Sequence, residues 1–195
     1  MFIRAIFLYK TENMPLYYIA IIIPEPFQSH ITAFKNAIHQ QFGAKSALKS
    51  PAHITLFPPF RWESDRQDVL KTALDGFSLH FSQKNTPLSI KLKNFGFFRK
   101  TTVFVDVESA EMLFILRGSL LDYLSTHIDL RDDKDALRPF HPHITIVNRD
   151  ISEADFEAIW AAYSNKSFNV DFSVESISLL LNDGKRWNVV YTVRF

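Results

Sequence analysis

Two short segments carry residue types suited to acid–base chemistry at one repeated spacing. "PAHITLFPPF" spans residues 51–60 and "RPFHPHITIVNRD" spans residues 138–150. Each contains His-Ile-Thr and then an aliphatic residue, which sets His53 with Thr55 and His143 with Thr145. On a strand, residues i and i+2 share a face, about 6.6 Å apart along the chain. Each imidazole therefore shares a face with a hydroxyl, while Ile54, Leu56, Ile144 and Ile146 turn to the core. Two such strands related by a pseudo-twofold axis would bring two imidazoles and two hydroxyls to one cleft. Histidine gives or takes a proton near neutral pH, and a pair can do both in one step. Threonine hydroxyls can donate to non-bridging phosphate oxygens, where the transition state holds negative charge. The set suits a phosphodiester and requires no metal, cofactor or covalent intermediate. One imidazole must start neutral and the other protonated, so a bell-shaped pH–rate curve is expected.

A core strand with satisfied polar groups and a metal site compete for the same residues. Thr55 and Thr145 are also β-branched strand formers. His141 and His143 flank Pro142 and share a strand face, as two metal ligands could. In the alternating histidines of a histidine-triad site, however, the position of Thr145 would also be His. Asp150 is the one nearby acidic residue with ligand spacing. His141 is therefore expected to support its neighbour or line the rim, and no metal is expected. A third His-Ile-Thr, at His30 and Thr32, falls in a helical pattern, where residues two apart point in nearly opposite directions. That copy is read as chance.

Phe57, Phe60, Trp62 and Phe140 flank the motifs. Such rings stack nucleobases, although aromatics beside strands also fill cores. Phe57, two past Thr55 on the same expected face, is the first choice for a base contact. Lys49, Arg99, Lys100 and Arg149 are candidate phosphate partners, each of which can equally be read as a solvated surface charge.

The elements that must position these groups follow from periodicity and turn residues. Residues 16–23 form an apolar, β-branched run bounded by prolines, a buried strand. A helix follows between Pro26 and Gly43, with Phe27, Ile31, Phe34, Ile38 and Phe42 on its apolar stripe. Ser64 and Gln67 have capping-box spacing ahead of a helix carrying Val69, Leu70, Ala73, Leu74 and Phe77. "LSIKLKNFGFF" and "TTVFVDV" flank Arg99-Lys100 as a hairpin or bulged pair. A third helix is expected from Ser109, with Met112, Ile115, Leu116, Leu120, Tyr123 and Leu124 on one face. Ser152 caps a fourth, with Ile151 and Phe156 as a hydrophobic staple, and the last two strands turn at Asn182-Asp183-Gly184. The element order nearly repeats itself although the halves share little residue identity. We expect an α+β protein of two pseudo-symmetric lobes, each an antiparallel sheet with packed helices. The cleft lies between the lobes, and residues 16–195 fold as one unit.

At 195 residues the chain can bury a substantial core, and its 19 Phe exceed what is usual for this size. With 22 basic and 21 acidic side chains, no overall field draws in duplex DNA. A nucleotide or RNA end, needing only a local pocket, is not excluded by that balance. The chain has no Cys, which removes disulfides, thiolate metal sites and thiol nucleophiles and fits a reducing cytoplasm. "LYYIAIIIP" is too short to span a bilayer, and the N-terminus lacks a signal-peptide pattern, so no membrane partner is expected. Residues 1–15 are read as an N-terminal extension ahead of the domain, and Met14 as the natural start, which leaves residues 1–13 upstream of it.

Paired His-x-Thr-x motifs in two matching halves resemble the 2H phosphoesterase superfamily. The similarity is greatest to the bacterial 2′,5′ RNA ligase-like proteins, or RNA 2′,3′-cyclic phosphodiesterases. It extends from about Leu16 onward through "YYIAIIIPEP", "ALKSPAHITLFPPF", "FGFF…VFVDVE" and "RPFHPHITIVNRD". The resemblance implies His53 as proton donor, His143 as proton acceptor, and Thr55 and Thr145 as phosphate holders. Members often carry Ala-Arg soon after the second motif; here "VNRD" supplies Arg149 slightly later as the phosphate ligand. The implied partner is a cyclic nucleotide or RNA end; no cofactor is expected, and a monomer is expected without the resemblance implying it. Two other functions fit the same residues: hydrolysis of another cyclic phosphate, such as an ADP-ribose derivative, and a non-catalytic module binding nucleotides or RNA ends.

Overall fold

The structure, a computed structural model, describes residues 14–82, 88–108, 111–133 and 139–195. Most of the expected N-terminal extension, together with Ser109 and Arg138, lies outside the described residues. The apolar run after Met14 forms β1 (Leu16–Ile22), and α1 (Phe27–Phe42) follows, ending at Gly43. Gly43 adopts φ 74°, the left-handed conformation in which glycine is unstrained, and its N–H caps the His39 carbonyl at 2.8 Å. The chain continues through β2 (His53–Arg61), α2 (Gln67–Ser82), β3 (Leu88–Phe98) and β4 (Thr102–Val107). It then forms α3 (Glu111–Ile128), β5 (His143–Asn148), α4 (Glu153–Tyr163), β6 (Asn169–Val174), β7 (Ser176–Asn182) and β8 (Trp187–Arg194).

The strands form two four-stranded antiparallel sheets, in the orders β2-β1-β7-β8 and β5-β4-β3-β6. Each places its His-x-Thr strand at an edge, next to the strand preceding it in the chain. The first lobe thus takes two strands from each end of the chain, and the second takes the four between. The α+β, two-lobed architecture is the expected one, but the exchange of the C-terminal hairpin into the first sheet was not evident from element order.

The helices repeat the same arrangement. α1 joins β1 to β2 yet packs against β5 of the opposite sheet, and α3 joins β4 to β5 yet packs against β2. Phe34 of α1 meets Phe95, Tyr163 and Phe168 edge-on, at ring separations of 5.3–5.9 Å. α2 stays on its own sheet, where Ser78 donates to the Arg194 carbonyl and Tyr191 donates to Asp75 at 2.6 Å. One continuous core joins both lobes.

Several local expectations need correction. A short 3-10 turn, Ser64–Arg66, precedes α2. Ile115 and Val69 are exposed, and Leu113 takes the buried position on α3. β6 was not anticipated; it alternates in burial and completes the second sheet against β3. The Ser152 cap is present, with Asp155 N–H donating to its hydroxyl and Ser152 N–H donating to the Asp155 carboxylate, both at 3.1 Å. The final hairpin turns through Asp183–Arg186, with Gly184 at φ 91°.

Candidate active site

β2 and β5 lie against each other across the seam between the lobes. His53, Thr55, His143 and Thr145 all line one cleft of about 490 Å³. Cross-strand pairing explains why they face it. His53 stands opposite Ile22 and Thr55 opposite Ala20, while His143 stands opposite Asp106 and Thr145 opposite Phe104. The intervening Ile54, Leu56, Ile144 and Ile146 are buried on the core side.

The two imidazoles are held in the same way. His53 Nδ1 lies 2.7 Å from the carbonyl of Pro51, and His143 Nδ1 lies 2.6 Å from the carbonyl of His141. A carbonyl can only accept, so each Nδ1 carries a hydrogen, and Nε2 is left to take up a proton. Burial pushes His53 down to about 4, against the upward pull of the Pro51 carbonyl, with the charges of Lys35 and His143 lowering it further. His143 is also pushed down, chiefly by burial, while Asp106 pulls the other way. Both rings are therefore neutral in the free protein at pH 7.

Both motif strands carry a bulge just past the threonine. Ile19 pairs with Phe57 but the next residue, Ala20, pairs with Thr55; Val103 pairs with Val147 but Phe104 pairs with Thr145. The extra residue turns Phe57 and Val147 into the core directly after buried Leu56 and Ile146. Phe57 is 1% exposed, its ring set edge-on to Phe60 at 5.1 Å. The expected base contact at Phe57 is corrected on this ground: strict alternation put it beside Thr55, and the bulge reverses its face. Trp62 is buried, and Phe60 packs on Tyr17 and Phe57. Phe140 lies under the Arg117 guanidinium in an adjoining hollow of about 230 Å³ that shares Thr55, Phe98 and His143 with the main cleft.

Among the candidate cations, Arg149 lines the cleft, at a left-handed backbone position with φ 64°. Lys100 instead pairs with Glu153 and Glu157 on α4, at 3.3 and 2.6 Å, and with Arg99 forms the tight β3–β4 turn. Lys49 is exposed on the 3-10 turn Ser46–Lys49. His141 is exposed, and its Nε2 lies 2.9 Å from Asp106 Oδ1. Its carbonyl orients His143, and its side chain extends that support to β4. No group of three His, Asp or Glu side chains among the described residues could hold a metal ion. His30 and Thr32 sit on α1 and do not line the cleft.

Tyr18, Lys35, Phe98 and Trp187 are among the cleft residues that escaped the sequence reading. The Tyr18 ring lies 4.9 Å from His53 and 4.6 Å from Trp187, and its hydroxyl bonds to Ser50. Phe98 stands edge-on to His143 at 4.9 Å. Lys35 carried a legible signal, a lysine set between Ile31 and Ile38 on the buried stripe of α1. The aromatics sat in stretches that also read as core.

Solved structures of similar shape include E. coli LigT complexed with 3′-AMP, with TM-score 0.65 and 18% identity, covering 93% of this chain and 98% of that one. The TT0787 protein of Thermus thermophilus matches with TM-score 0.63 and 18% identity, over 92% of this chain and 97% of that one. E. coli LigT complexed with NADP+ matches with TM-score 0.59 and 17% identity, over 93% and 98% of the two chains. At such identities the likeness is one of fold. No curated protein matches the chain. The family model described as the 2′-5′ RNA ligase superfamily matches residues 23–186, and the chain belongs to that superfamily.

Proposed function

We propose that the chain is a metal-independent phosphodiesterase acting on 2′,3′-cyclic phosphate, or 2′,5′-linked, RNA ends or nucleotides. The observation that carries this reading is the matched pair of imidazoles, each with Nδ1–H held by the carbonyl two residues before it and each lining the same cleft. In hydrolysis of a cyclic phosphate, water forms the new P–O bond while His143 Nε2 takes its proton. The bond from phosphorus to one sugar oxygen breaks, and that oxygen receives a proton from His53 Nε2. Thr55 and Thr145 donate to the non-bridging oxygens, where charge is held in the transition state. His53 must be recharged to donate, and the negative phosphate arriving beside it favours its protonation.

Turnover of a panel tests the reading: 2′,3′-cyclic nucleotides, 2′,5′-linked dinucleotides and a cyclic ADP-ribose phosphate, all in EDTA. The expected result is a monophosphate product from the first or second class, and its position identifies the bond broken. Turnover abolished by EDTA and restored by a divalent ion would contradict the two-histidine mechanism. Nucleotide binding without turnover of any member would favour the binding module.

A further inference from the structure

Two cationic side chains in the cleft, Lys35 and Arg149, have no role in the proton transfers described above, and of the two Lys35 is buried. Lys35 is 3% exposed, on the face of α1 that buries Ile31 and Ile38, and it lines the same cleft as both histidines and both threonines. Its Nζ donates to the Ser50 carbonyl at 3.1 Å. Among the described residues it has no carboxylate partner. An ammonium has three donors, and one carbonyl satisfies one of them. A buried cation without a counter-ion costs the fold stability, so its retention in a cleft points to an anion that arrives from outside. Because α1 starts from the first lobe and packs on β5 of the second, Lys35 sits at the seam where the two motif strands meet.

We propose that Lys35 is the anion anchor of the cleft, its ammonium meeting the non-bridging oxygens of a phosphate held between His53 and His143. The identification of that anion as a phosphate ester rests on the proposed phosphodiesterase function; the anion site itself does not. Arg149, at the cleft's edge, supplies a second cation. Burial brings Lys35 down to about 8, so the anchor is charged at neutral pH and discharges in mild alkali.

Calorimetric titration with inorganic sulfate tests this, since sulfate keeps a constant charge between about pH 6 and 9, the window in which Lys35 titrates. Lys35→Met should weaken sulfate binding about tenfold or more and raise KM for the cyclic nucleotide similarly, while Tm stays at or above the native value because an apolar side chain replaces a buried charge. Sulfate affinity of the native chain should fall as pH rises through about 8, and the variant should lack that limb. The other ionisable groups on facing elements are Tyr18, His53, His143, Lys49, Asp150 and Arg149. Burial pushes Tyr18 up and the two histidines down, away from this window. Sulfate binding by Lys35→Met within about twofold of native would overturn the proposal. So would a native affinity that is flat through pH 8, which needs no variant to fold. Turnover with an unchanged KM in the variant would remove the anchor and leave the phosphodiesterase standing. Lys35-dependent sulfate binding without turnover would do the reverse.

Discussion

Pro51 and His141 each offer a backbone carbonyl to the imidazole two positions on, and that single bond fixes both tautomer and aim. In the proposed reaction, the proton that a histidine gains or loses sits on Nε2 alone, and the pair would work as one unit with one mobile proton. Both rings have pKa values below the ordinary histidine value of 6.5. Acidification must therefore go further than usual before the first ring is charged. kcat/KM, which reports the free protein, is expected to follow a bell whose maximum lies on the acid side of 6.5. For kcat the maximum should move to higher pH, because bound phosphate stabilises the charged ring. A kcat/KM optimum above pH 7 measured with a 2′,3′-cyclic nucleotide would contradict this. The histidine and threonine positions were legible in the sequence, since type and spacing alone put them on one strand face. Lys35 was legible only as an interruption of an apolar stripe, and its meaning depended on what lay across from it.

Elements decide which face a residue finally presents. Period-two alternation holds from His53 to Leu56 and from His143 to Ile146, then fails at the same step in both strands. A bulge depends on the partner strand's register, and a single strand's sequence does not carry that register. Phe57 is the clearest casualty: the pattern puts it beside Thr55, whereas the bulge places it in the core. Phe57→Ala should cost about 3–5 kcal/mol in urea unfolding, the range for truncating a buried Phe. Its KM under conditions where it remains folded should stay near native; a raised KM without lost stability would return Phe57 to the cleft. Gly96 is another feature read only in three dimensions. A Cβ there would meet carbons of the Phe104 ring at 2.5 and 2.6 Å, and that ring packs 5.0 Å from His143. β6 was missed because "NVDFSV" is short and polar-interrupted, and its pairing with β3 alone makes it a strand. The hairpins, by contrast, announced themselves through their turn residues.

In the whole molecule, the cleft is walled by interleaved lobes. The C-terminal hairpin completes the first sheet, and α1 and α3 each cross to the opposite lobe. Asp150 adds a polar tie across the seam, its Oδ2 accepting the N–H groups of Lys45 and Ser46 at 2.7 Å each. Burial raises its pKa, yet those amides hold it below the usual carboxylate value. A carboxyl with a depressed folded value contributes stability above its unfolded pKa and loses it as pH falls through the folded value. Asp150→Ala should lower stability at pH 7 by about 1–2 kcal/mol, in line with hydrogen bonds to an exposed charged group. That difference should close in strong acid in a pH series of thermal melts; a gap constant down to pH 2 would deny the tie. The two-lobed class was legible from the repeated element order, but the strand exchange was not, because it depends on which partner β1 finds. The most direct test of the whole account is single-turnover cleavage of a 2′,3′-cyclic nucleotide in EDTA by the native chain, His53→Ala, His143→Ala and the double variant. Two imidazoles acting as one unit predict that each single variant loses nearly as much rate as the double, by about 10³-fold or more. A single variant that retains turnover within about tenfold of native would show that one histidine suffices and would contradict the account.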